Sequence, residues 1–217
     1  MQKLTRENQP FRDRLQRAQS WLERVRAIVD DPEGWQDHDA QFVFYWIALN
    51  ALYSQNKEDY RSDSKDLNAF IVRICNLDRH DEIRTAILSV KKKADDLLRD
   101  KFLCEMYWEE GTTSRVEKVL KMDYQTAQEA WDKGHLETYL RFLFRRIRML
   151  RNQIFHGCST DRRSLNRTSL MPAVAILQIL VPVLAHVFEN NGEKESWPPV
   201  AYPRNKSPLN PDSYRKS

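Results

Sequence analysis

The sequence predicts an all-α protein: an antiparallel bundle of about five to seven helices, followed by a proline-rich extended C-terminal tail. Three observations carry this. Apolar residues recur at steps of three and four from Phe11 to Phe188, the period of helices with one buried face. Only five glycines occur in 217 residues, which argues against a sheet-rich or phosphate-loop architecture. The strongest pattern is Leu136, Leu140, Leu143, Ile147, Leu150 and Ile154, six side chains within about 80° of arc on an ideal helix.

Pro10 suits the first turn of a helix whose face is Phe11, Leu15, Ala18, Leu22, Val25 and Val29, ending at Asp30-Asp31-Pro32. Asp37 or Asp39 caps the next helix, around 39–55. It is apolar nearly all round, which places it centrally or at a subunit contact. A polar loop over 56–65 leads to a helix opening at Ser64 and bearing Leu67, Phe70, Ile71 and Ile74. A further helix near 80–102 carries Ile83, Ile87, Val90, Leu97 and Leu98, with Lys91-Lys92-Lys93 read as a solvated face. Phe102 to Thr113 follows no clear period, and Tyr107 and Trp108 read as core of an irregular segment. A weaker helix over 114–132 is broken by Gly134, and the arginine-bearing helix runs from about 135 to 157. A polar loop from Cys158 to Thr168 precedes the last helix, about 169–190, which Pro182 should kink. The tail Ser196–Pro203 should lie extended, pinned by Trp197 and Tyr202, with disorder from about 205. The expected organisation is an N-terminal helix (1–34) packed on a bundle (35–192), then the tail (193–217).

Composition narrows the classes. A hydrophobic fraction of 41% and a charged fraction of 30% suit a soluble helical protein. No apolar run approaches the ~20 residues needed to cross a bilayer, and the N-terminus has no apolar signal core. Cys75, Cys104 and Cys158 form no disulfide or Cys-x-x-Cys pattern. The expectation is a cytoplasmic protein with no membrane association, no cofactor and no metal, since the five histidines are scattered.

The net charge of +4 conceals a concentration: residues 141–167 hold eight arginines against one acid, Asp161. Such a stretch is either a solvated helix face or a phosphate-binding surface, and its restriction to arginine favours bidentate oxyanion contact. On the helix, Arg151 borders the apolar stripe, and Arg148, Arg141, Asn152, Arg145 and His156 follow round the same flank. Arg141, Arg145, Arg148, Arg162 and Arg163 are the candidate RNA-binding residues. Arg151, Asn152 and His156 are the candidate catalytic residues, and Asn50 is either a hydrogen-bonded core amide or a support beside them. Histidine can move the 2′-hydroxyl or leaving-group proton of RNA, and arginine can stabilise the charged transition state. The structural alternative for Arg151 and His156 is a helix-terminal pair, arginine on a carboxylate and histidine on the helix dipole. Five positions offset the two by ~140° and ~7.5 Å, so convergence on one phosphate is more natural across a twofold axis.

Leu150-Arg151-Asn152-Gln153-Ile154-Phe155-His156-Gly157, with its Arg-x-x-x-x-His spacing on a late helix, resembles the HEPN domain (higher eukaryotes and prokaryotes nucleotide-binding). Trp46 to Tyr53 and the closing Trp-Pro-Pro…Tyr-Pro are similar to a bacterial branch of that superfamily, and the likeness covers roughly residues 35–205. The resemblance implies a dimerising helical bundle with metal-independent endoribonuclease activity, acting as a toxin or in antiphage defence, with RNA as substrate and an antitoxin or defence-system partner. It makes Arg151 and His156 the motif pair and Asn152 their polar companion. A toxin subgroup carries a modified tyrosine two places after the histidine; Cys158 stands there, which argues against that control. The alternative function is a non-catalytic dimeric helical module that binds nucleic acid or a protein.

Overall fold

Capping groups and helix breakers set the ends of the helices in the computed structural model, which describes residues 8–31, 37–55, 63–156 and 167–202. The elements are α1 (Gln9–Val29), α2 (His38–Tyr53), α3 (Asp63–Leu77), α4 (Glu82–Arg99), a 3-10 turn (Lys101–Leu103), α5 (Glu105–Glu110), α6 (Ser114–Asp132), α7 (Leu136–Phe155) and α8 (Arg167–Asn191). Pro10 lies in the first turn of α1, and Asp37 caps α2 by accepting from the Ala40 amide at 2.9 Å. The Thr113 hydroxyl accepts from the Val116 amide at the start of α6. Gly134, at φ +80°, makes the left-handed step between α6 and α7, and the His135 N–H closes on the Ala130 carbonyl at 2.8 Å. Asp78 caps α4 from four residues back, accepting from the Glu82 and Ile83 amides.

The bundle is all-α. Among the described residues there is no strand, only one isolated antiparallel bridge between Gln55 and Val200. The described residues form eight α-helices rather than five to seven, because the Phe102–Thr113 stretch, expected to be irregular, contains the 3-10 turn and the short α5. α8 is the central element, packed against α4 and α2, with α1 lying along α2. Its stretch Thr168–Asn191 is long and apolar enough to cross a membrane, more than counting unbroken apolar runs allows, because Pro172, Gln178 and Pro182 interrupt the run without adding charge. Within the protein more than half of that apolar window is buried. The helix continues through both prolines.

α7 buries Leu136, Leu140, Leu143, Ile147 and Leu150 against α3, α4 and α6, and Ile154 is half-buried. Each fully buried Leu or Ile is worth ~1.5–3 kcal/mol, so this stripe holds the helix in place. Lys91 does not belong to a solvated face. Its ammonium meets Asp95 at 2.6 Å and lies over the Trp131 and Tyr139 rings, while Gln128 and Tyr139 also donate to Asp95. Lys92 and Lys93 are exposed, as expected.

The tail is held differently from expectation. Trp197 is buried, donating its indole N–H to the Gly192 carbonyl and stacking near Phe188. Tyr202 is 82% exposed and pins nothing with its ring. Its carbonyl and that of Ala201 are instead gripped by Arg17, each at 2.7 Å. One turn earlier on α1, Arg14 is 1% exposed and donates to the carbonyls of Leu52, Ser54 and Pro198. Burial, reinforced by Arg17, lowers its pKa to about 10. This guanidinium joins α1, the end of α2 and the tail. The expected disorder from about 205 lies outside the described residues. Replacing Arg14 with Ala strands three carbonyls; at ~1.5–3 kcal/mol per charged hydrogen bond, stability should fall by about 3 kcal/mol or more. Thermal unfolding should then begin roughly 6–12 °C lower. An unchanged melting temperature would show that Arg14 does not fasten the tail.

Candidate nucleic-acid interface

The arginines of α7 are sorted onto different sides of the helix. Arg146 lies on the flank opposite Arg141 and Arg148, and it is buried at 3% exposure. It donates to Asp123 on α6 at 3.0 Å and to the Leu103 carbonyl, while burial, then Arg145, pulls its pKa down. Arg145, half-exposed, shares the Asp123 carboxylate and packs over the Phe142 ring. Among the described residues no carboxylate pairs with Arg141, Arg148 or Arg151. A helix that carries almost no acid of its own is thus partly neutralised by its neighbour.

Two clefts flank the outer side of α7. One, of about 330 Å³ between α3 and α7, is lined by Arg141, Arg145 and Arg148 together with Ser64, Asn68 and Thr138 and, among the described residues, no acidic one. The other, of about 310 Å³, opens toward the 103–109 segment and α6; it sets Arg145, Arg146 and Arg148 against Glu105, Glu109 and Asp123 and reaches Asn152. Arg145 and Arg148 are common to both and form the ridge between them.

The motif residues lie past the end of this ridge, and neither cleft reaches Arg151 or His156. Arg151 is half-buried and donates to the Asn152 amide oxygen at 2.9 Å. Its guanidinium lies 5.7 Å from the Trp46 ring and 5.3 Å from the Phe155 ring. Among the described residues the Arg151 Nε and the Trp46 indole N–H, both buried donors, find no acceptor, at a cost of roughly 1–3 kcal/mol each. His156 is the exposed C-cap residue of α7, its amide donating to the Asn152 carbonyl at 3.0 Å. Within one protomer the described residues bring Arg151 and Asn152 together, with Asn152 shared by the second cleft; His156 lies about 140° round the helix from Arg151. Asn50 is half-buried on α2, one turn from Trp46; among the described residues its side chain makes no hydrogen bond, so the core-amide reading gains no support. Arg162 and Arg163 lie outside the described residues, as do Gly157 and Cys158.

Sequence reasoning set Asn50 of α2 beside the motif but missed what Trp46 and Tyr53 contribute. Trp46 supplies the ring face for Arg151. Tyr53 is buried and donates its hydroxyl to Asp63 at 2.9 Å. Burial and then Asp63 drive its pKa well up, although Arg151 and Arg148 lie close enough to pull it back. The all-round apolarity of α2 hid which of its aromatics face α7. Among the described residues no group of three or more His, Cys, Asp and Glu is placed to hold a metal. Cys75 and Cys104 are free thiols, and burial pushes Cys75 up to about 12.

Fold and site together define an all-α bundle with an arginine ridge on one helix. The chain matches no protein-family model, no curated protein and no solved structure.

Removing the acid that neutralises Arg146 tests the sorting. Asp123→Ala leaves a buried guanidinium unpaired, a change that typically costs ~3–5 kcal/mol. Chemical denaturation should report a loss of about that size, whereas Arg145→Ala, whose side chain is 48% exposed, should cost under ~1 kcal/mol. Equal small losses would place the Arg146–Asp123 pair outside the stable core.

Proposed function

We propose that the protein is a metal-independent endoribonuclease of the HEPN type, acting as a homodimer through α7. The observation that carries this is the cleft beside α7: three arginines, two hydroxyls and an amide line it, and no acid among the described residues does. Planar guanidiniums repeated at three- and four-residue steps suit successive phosphate oxygens. The ridge they form leads along the helix to Arg151, Asn152 and His156. Arg151 has no carboxylate partner among the described residues, which favours an anion-binding role over a structural ion pair.

In this reading the substrate's own 2′-hydroxyl attacks the adjacent phosphorus, and the 5′-oxygen leaves with a proton. The products carry a 2′,3′-cyclic phosphate and a 5′-hydroxyl. His156 moves the proton as general acid or base, Arg151 stabilises the extra phosphoryl charge, and Asn152, bonded to that guanidinium, orients it. Arg141, Arg145 and Arg148 hold the backbone, with Arg162 and Arg163 on the following loop. The two motif side chains point to different sides of one helix, so a twofold-related copy is needed to complete the site. Action in the cytoplasm as a toxin or defence effector, silenced by a partner, fits such an activity.

A binding module without catalysis is the second reading, and it has its own observation: neither cleft includes Arg151 or His156. The two separate by mutation. Purified protein should cleave mixed RNA in EDTA and leave DNA intact. His156→Ala should lose about 10²–10⁴ in rate with the fold retained. Binding that survives His156→Ala but is abolished by Arg141→Glu with Arg148→Glu, with no cleavage by wild type, would establish the binding module instead.

A further inference from the structure

The two clefts flanking the ridge differ in charge, and the difference matches the two halves of a nucleotide. On the α3 side no acid among the described residues lines the cleft. The opposite side balances Arg145, Arg146 and Arg148 with Glu105, Glu109 and Asp123, so it offers both donors and acceptors and little net attraction for phosphate. A cluster of three aromatic rings, Phe102, Tyr107 and Trp108, sits outside the cleft lining but on the same 101–110 segment that supplies Leu103, Glu105 and Glu109 to it. Phe102 and Trp108 are 41% and 50% exposed, and Tyr107 packs edge-on to both at 5.2 and 5.6 Å. The cluster is locked. The Trp108 indole N–H and the Gln153 amide, from α7, both donate to the Phe102 carbonyl, at 2.9 and 2.7 Å. Lys101 lies over Phe102 and Tyr107. On α5, Trp108 stands about 60° round from Glu105, which lines the cleft.

Partly exposed aromatic faces held rigid cost solvation, and none of these three rings belongs to the hydrophobic core. Beside a charge-balanced cleft, and across a ridge from an arginine-lined one, they suit an unstacked base. We propose that this side of α7 is a nucleobase subsite: a base of single-stranded RNA stacks on Trp108 and Phe102, and its amino group donates to Glu105 or Glu109, while its phosphate lies across the ridge with Arg141 and Arg148. The subsite rests on the RNA reading above. Carboxylates accept from the exocyclic amino groups of adenine, cytosine and guanine, which uracil lacks, so the subsite discriminates against uracil.

The test uses the full chain and non-cleavable 2′-O-methyl oligonucleotides, so binding is read independently of cleavage. Oligoadenylate, oligouridylate and an abasic chain of equal length are titrated by tryptophan fluorescence and by anisotropy of labelled chains. Oligoadenylate should bind more tightly than oligouridylate, and Trp108→Ala should weaken oligoadenylate roughly tenfold without changing the abasic chain. Glu105→Gln with Glu109→Gln should narrow the adenine-over-uracil preference. If Trp108→Ala leaves oligoadenylate affinity unchanged, or weakens the abasic chain equally, the subsite is wrong while the RNA reading stands. Conversion of a dimer to a monomer by Trp108→Ala would make the cluster a subunit contact and overturn the subsite. Wild-type protein that binds none of the three chains would overturn both.

Discussion

The leucine stripe sets the rotation of α7, and the ion pair between Arg146 and Asp123 makes that rotation tolerable; the character of the surface follows from the two together. A guanidinium on that flank of the helix must be buried when the leucine stripe packs. It is tolerable there because α6 brings a carboxylate to 3.0 Å and the 3-10 turn brings the Leu103 carbonyl. Once Arg146 points inward, helix geometry sends Arg141, Arg145 and Arg148 outward together. Asp123 also accepts from Arg145, so one acid divides the ridge into a paired side and an unpaired side. Arginine is suited to this division because it stays charged in both settings.

A second constraint acts at the other end of the ridge. Arg151 depends on α2 for the Trp46 ring, and α2 is held on one side by α8 and on the other by α1. Arg14 fastens the C-terminal end of α2 to α1 and to the tail through three carbonyls. The tail is therefore part of the scaffold for Arg151, although it lies far from it in sequence. Pairing of Gln55 with Val200 closes the same corner.

The helices were legible because apolar spacing, caps and breakers agree at most ends: Pro10, Asp37 and Gly134 all sit where their chemistry predicts. α5 was not legible, since six residues show less than two turns of any period. In the site, the flank carrying Arg141, Arg145 and Arg148 followed from helix geometry alone. That Asp123 neutralises Arg145 and Arg146 did not, because a contact between helices 22 residues apart leaves no local pattern. Arg14 was missed for a related reason: on a helical wheel it is one charged residue beside an apolar face, and only the carbonyls around it explain its burial. Tyr202 misled because an aromatic in a proline-rich tail suggests anchoring, whereas the anchoring is done by backbone carbonyls on Arg17. Arg162 and Arg163 lie outside the described residues, so their part in the ridge rests on sequence alone.

The central claim is that Arg151 and His156 act on one phosphate from two protomers. Mixing Arg151→Ala protein with His156→Ala protein, after reversible dissociation, measures this most directly. If a site takes its arginine from one protomer and its histidine from the other, each mixed dimer regains one intact site. With random pairing about half the dimers are mixed, so RNA cleavage should return to about a quarter of the wild-type rate, while neither variant alone cleaves appreciably. A mixture no more active than its two inactive parents, with mixed dimers shown to form, would contradict the shared site.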